Sequence, residues 1–118
     1  MADQEIVLGD SRPYTVALKI NGNPFAINPS SDVVKAAIIS ADKKKLLAGP
    51  ITLIATTPGA DWAQSTLIVK FPRAMTADIA ITGKALLEVQ VTFDNADASV
   101  DDDDWTWFLP VTLSRGQL

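Results

Sequence analysis

The chain has 118 residues, 47% apolar and 20% charged, with a formal charge of −4 and neither histidine nor cysteine. Those values indicate one domain with a single core, and they exclude a disordered chain, a disulfide-stapled scaffold and a thiolate or imidazole metal site. With the commonest general base missing, only carboxylate chemistry or hard oxygen-ligand metals stay within reach, and no cofactor is expected.

The opening residues, MADQEIVLGD, are polar and acidic where a signal peptide would show a positive and then an apolar region, and no run of about 18 apolar residues occurs. The expected product is made in the cytoplasm and is not inserted in a membrane; MADQ and the closing SRGQL are expected to be loose ends. In PYTVALKI, Tyr14, Val16, Leu18 and Ile20 alternate with Thr15, Ala17 and Lys19, the pattern of a half-buried strand. Asn21-Gly22 follows, a hairpin signal because both positions tolerate positive φ, and NPFAI is expected to be a short partner strand.

VVKAAIIS, Val33 to Ser40, predicts a strand, ADKKK an exposed turn and LLAG the return, with a short helix as the alternative over this Ala- and Lys-rich stretch. ITLIATT, Ile51 to Thr57, predicts a further strand closed by the turn cluster TPGAD. STLIVKF alternates Leu67, Val69 and Phe71 against Thr66, Ile68 and Lys70 and stops at Pro72; PRAMTADIA then predicts a single helical turn. ALLEVQVTF, Ala85 to Phe93, has the clearest alternation, with Leu87, Val89, Val91 and Phe93 on the inner side.

The last strand places Trp105, Trp107, Leu109, Val111 and Leu113 on the core face, and Thr106, Phe108, Pro110 and Thr112 on the other. NADASVDDDD, which precedes it, joins two long alternating segments as the loop of a hairpin does. Four adjacent carboxylates repel one another and hold water, so a solvated loop that resists joining a ladder is expected. The alternative is a loose Ca²⁺ site built from Asp94, Asp97, Asp101, Asp102, Asp103 and Asp104, although the glycine and terminal glutamate of a calcium loop are missing. Short strands with turn signals every 8 to 12 residues or so predict an all-β fold: an immunoglobulin-like antiparallel two-sheet β-sandwich of seven or eight strands, with at most one short helical turn.

Residues 1–59 carry six Lys/Arg against five Asp/Glu, and residues 60–118 four against nine. No basic stripe results, Lys43 to Lys45 being too short a run, so nucleic-acid binding is not expected. A serine or threonine nucleophile lacks its usual base, and the carboxylates are bunched in one loop where a glycosidase needs two set across a cleft. The glycines are scattered singly, which leaves no phosphate cradle. The expectation is a protein that is not an enzyme. Trp62, at the end of PGADW, is a rim-of-core residue, an interface anchor or a sugar-stacking platform. Phe108 and Pro110 face outward where a solvated sheet favours polar residues, which marks a contact with another protein.

The segments MADQEIVLGDSRPYTVAL, KINGNPFAI, PGADW, ALLEVQV and WTWFLPVTLSRG together resemble small bacteriophage virion proteins, in particular the N-terminal immunoglobulin-like domain of baseplate upper proteins. The likeness rests on a GD-x-x-P opening (Gly9, Asp10, Pro13) and an NG-x-P-hydrophobic hairpin (Asn21, Gly22, Asn23, Pro24, Phe25), and it spans nearly the whole chain. It implies a virion structural protein of the tail or baseplate, contacting other phage proteins and forming a homo-oligomer in the particle. A capsid decoration, cement or head-fibre subunit is the alternative; a carbohydrate-binding module, recognised by Trp62 and a second aromatic lying coplanar on one open surface, is the reading from another class. The expected contact residues are Asn21, Gly22, Asn23, Pro24, Phe25, Trp62, Phe108 and Pro110.

Overall fold

The computed structural model describes residues 4–95 and 103–115. Seven strands form two sheets: β1 (Gln4–Leu8), β2 (Tyr14–Ala17), β3 (Val33–Ser40), β4 (Leu46–Thr52), β5 (Thr66–Val69), β6 (Gly83–Phe93) and β7 (Asp103–Arg115). The larger sheet has the order β1-β7-β6-β3-β4 and faces the pair β2-β5. This is the all-β, two-sheet sandwich that the alternation predicts.

The alternation translates into packing as expected along the centre. Val34, Ala36 and Ile38 of β3 and Leu87, Val89 and Val91 of β6 share one core with Tyr14, Val16, Leu67 and Val69 of the smaller sheet and Leu18 just beyond β2, all buried. Each such aliphatic side chain contributes about 1.5–3 kcal/mol by leaving water. The α-helix α1 (Arg73–Ala77) is the short turn predicted over PRAMTADIA, and a 3₁₀ turn at Trp62–Gln64 joins it as a second helical piece. Asn21 and Gly22 take φ of 53° and 81°, and Ile20 and Asn23 exchange both backbone hydrogen bonds across them. The Asn-Gly turn is therefore the two-residue hairpin turn expected.

Several expectations are corrected. Gln4 is not a loose end: β1 starts there and runs parallel to β7, Gln4 opposite Val111 and Leu8 opposite Arg115, so not every pair is antiparallel. Asp10 then clamps the turn into β2, its carboxylate accepting from the Arg12 backbone N–H at 3.0 Å and pairing with the guanidinium at 2.7 Å, and this hydrogen-bonded cation holds the carboxyl below its ordinary range. NPFAI is no strand: Pro24 has no N–H to offer a ladder, the Phe25 N–H goes to the Ser65 hydroxyl and that of Ile27 to the Trp62 carbonyl. ITLIATT is no separate strand either, since β4 runs from Leu46 through Gly49 and Pro50 to Thr52 and the chain then leaves the sheet. That pairing also settles the helix alternative at LLAG in favour of strand.

The aromatic end of β7 is the largest correction. Trp105, expected in the core, is 45% exposed, while Trp107 and Leu109 are half-buried at the margin. Their side of the sheet is right, but among the described residues β1 covers β7 only from Val111 onward, and no other described strand pairs with the outer edge of Asp103 to Pro110. β2 and β5, four residues each against 11 and 13 in β6 and β7, also end short of it. Asp103 and Asp104 do join the ladder, opposite Phe93 and Thr92, contrary to the expectation that charge keeps them out. On an exposed edge their carboxylates stay hydrated, and that of Asp104 accepts from the Thr92 hydroxyl at 2.7 Å.

Candidate interaction face

The expected contact residues fall into three places. Trp62 is 7% exposed and sits in the core cluster, so it is no surface anchor; its carbonyl is tied to Ile27, and its indole N–H meets no acceptor among the described residues. Burial of Trp62 also removes it as a sugar-stacking platform. Phe25, at the end of the Asn21 to Phe25 hairpin, turns inward and stacks on Trp107 with ring centroids 5.4 Å apart, edge-on to Phe93 at 5.9 Å. Trp105 extends the stack beyond Trp107 at 6.2 Å, and the Trp107 N–H donates to the Lys19 carbonyl. Asn21, Gly22, Asn23 and Pro24 are exposed around this aromatic end. Phe108 and Pro110 stand on the opposite side of β7, so the hairpin and these two do not form one surface.

Register assembles the third place from residues that single-strand alternation leaves unconnected. Pro110 of β7 lies opposite Leu86 of β6, Leu86 opposite Ile39 of β3, and Ile39 opposite Leu46 of β4. These four form an apolar row across the outer face of the large sheet. Phe108, 39% exposed, stands in the next row beside Glu88 and Ala37, and Leu46 is 55% exposed. Pro110 is tolerated because β7 is an edge there, where a missing N–H leaves no ladder bond unmade. On the far side of the Phe108 row, toward Lys35 and Gln90, lies a depression of about 190 Å³ lined by Lys35, Ala37, Pro50, Glu88 and Gln90 together with Ala36.

The turn between β3 and β4 overhangs this face. The Asp42 carboxylate accepts from the Ser40 hydroxyl at 2.5 Å and from the Lys44 N–H at 3.0 Å, and Lys43 adopts φ of 64°. That geometry sets the Lys43 ammonium 4.0 Å from the Phe108 ring centroid, a cation–π contact of about 0.5–1 kcal/mol at such an exposed site. The Ser40 hydroxyl, then the Lys44 N–H, holds the Asp42 carboxyl below its ordinary 3.8. A depressed carboxylate contributes stability above its unfolded pKa and loses it as pH falls through the folded one. Asp42→Ala should therefore melt slightly below the parent at neutral pH, with the difference closing below pH 3.8; equal melting curves at pH 7 would show the turn holds without it.

Charge divides along the strands. Lys43, Lys44, Lys45 and Lys84 lie at the end where β3 stops and β6 begins, whereas Asp32, Asp94, Asp103 and Asp104 lie at the other. Asp97, Asp101 and Asp102 of the Ca²⁺ alternative lie outside the described residues. Among the described residues no group of three or more His, Cys, Asp or Glu is placed to hold a metal ion. Comparison of the chain with protein-family models, with curated proteins and with solved structures gives no match.

Proposed function

We propose that the chain is a non-enzymatic structural subunit of a bacteriophage virion, an adaptor or assembly subunit of the tail or baseplate that works through protein–protein contacts. The observation that carries the assembly role is the outer face of the large sheet, where Phe108, Pro110, Leu86 and Leu46 leave apolar surface in part exposed around buried Ile39, with no further strand or helix over them among the described residues. The virion setting rests on the resemblance of the opening GD-x-x-P, the Asn-Gly hairpin and the closing tryptophan strand to baseplate upper proteins. The structure gives those motifs physical roles: Asp10 locks the turn into β2, Asn21-Gly22 reverses the chain, and Trp107 packs on Phe25.

A rigid sandwich presenting one face and several loops suits a subunit whose work is to hold neighbours in register. A capsid decoration or head-fibre subunit uses the same surface, and location separates the two. Gold-labelled antibody against the chain should decorate tails or baseplates in electron micrographs of intact particles. Label confined to capsids moves the protein to the decoration reading, and particles without label refute both.

A further inference from the structure

We infer that the outer face of the large sheet is closed by a second copy of this chain, packed face to face with its strands antiparallel about a two-fold axis that crosses them between Glu88 and Gln90. The inference rests on the reading of this face as an assembly surface. It goes further in naming the occupant, the symmetry and the pairing charges.

Three observations select a second copy over an unrelated partner. First, the face carries at its centre one charge of each sign that has no ion-pair partner among the described residues. Lys35 of β3 lies opposite Gln90 and Glu88 of β6 lies opposite Ala37, so the two flank the same depression, yet the ion pair formed within the described chain is Asp10–Arg12. An isologous interface requires that if one residue meets another, the second meets the first in return. Lys35 and Glu88 satisfy that twice, each reaching the other's copy across sheets about 10 Å apart.

Second, the charge at the two ends fixes the orientation. The outward face runs from Lys84, with Lys43 to Lys45 beside it, to Asp104, with Asp94 beside it. A parallel pair would set like ends together. The antiparallel pair sets the lysine end of each copy over the aspartate end of the other, which favours encounter and register.

Third, the sheet face is of adequate extent. Five strands about 4.8 Å apart and some eight residues long at about 3.3 Å each give a footprint of roughly 600 Å² per copy. A standard interface covers about 800 Å² per partner. The contact lies at the small end, so the isolated chain should associate reversibly between about 1 µM and about 1 mM.

Sedimentation velocity over that concentration range, on variants shown by circular dichroism to be folded, tests the inference. The parent chain should pass from monomer to dimer. Glu88→Lys and Lys35→Glu should each weaken self-association at least about tenfold, because each sets like charges together twice. An equimolar mixture of the two variants should dimerise as the parent does, since every Lys–Glu contact is then restored, and Phe108→Ser should weaken the dimer without unfolding the domain. A parent monomeric to about 1 mM, unaffected single reversals, or a mixture that stays monomeric would each overturn the inference. Virion membership is a separate readout, so a monomeric chain found in particles would refute the dimer and leave the proposed function standing.

Discussion

Phe71→Ala should lower the folding free energy by about 3–5 kcal/mol, while Phe108→Ala should lower it by about 1 kcal/mol. Both changes delete the same ring, so the contrast measures where each ring sits. Phe71 is 1% exposed, in the core beyond the end of β5, and its removal leaves a cavity that the surrounding strands cannot fill. Phe108 is 39% exposed on the outer face and gives up partly covered area and the contact with Lys43. A domain of this size has about 5–15 kcal/mol in total, so the first change removes a large part of it. Thermal melts of the monomer should show a fall of about 10–20 °C for Phe71→Ala and a few degrees for Phe108→Ala. Equal losses would mean that the two sides of the sheet are wrongly assigned.

Gly49→Ala should be destabilising by about 2–3 kcal/mol, and Gly22→Ala by nearer 1 kcal/mol. Both glycines have positive φ, 94° and 81°, so both replacements force a side chain into a conformation that L-residues disfavour. They differ in space. A Cβ on Gly49 would stand 3.0 Å from the Ala36 carbonyl oxygen and 3.2 Å from the Ala37 Cα, backbone atoms of β3 that have no freedom to turn aside, whereas nothing lies within 4 Å of one on Gly22. The larger loss at Gly49 should come with loosened hydrogen-exchange protection along β4, whose Leu46 and Pro50 border the outer face. Similar losses at the two positions would show that β3 and β4 are less closely apposed than the structure has them.

The core was legible because alternation is local. Val89 and Val91 declare their side of β6 within a few residues, and the Asn21-Gly22 turn and the helical turn after Pro72 depend on near neighbours alone. What alternation gives is a side and not a depth. Trp105 shares a face with buried Val111, yet exposure is decided by where β1 begins, a hundred residues away in the chain. The parallel pairing of β1 with β7 was hidden for the same reason, since a five-residue segment, QEIVL, is held as a strand only by a partner distant in the chain. Asp103 and Asp104 show the converse: charge argued for a loop, but an exposed edge lets backbone groups pair while the carboxylates stay in water.

The candidate face was half legible. Phe108 and Pro110 were marked by facing away from the core with the wrong chemistry for a wet surface. Leu86, Ile39 and Leu46 were not, because each looks ordinary in its own strand and only the register sets them in line with Pro110. Lys35 and Glu88 likewise come to flank one depression only when β3 is laid against β6. Of the three readings of Trp62, the rim-of-core one comes nearest and the anchor and sugar-platform ones fail, because the 3₁₀ turn folds the indole into the end of the core.

The central claim is that this chain is a building part of a virus particle, and mass spectrometry of particles purified through a density gradient, from the genome that encodes it, tests that most directly. The account predicts peptides of the chain in intact particles, in fixed ratio to the other structural proteins through repeated gradients and salt washes. Particles that are complete and infectious but contain none of it would contradict the account.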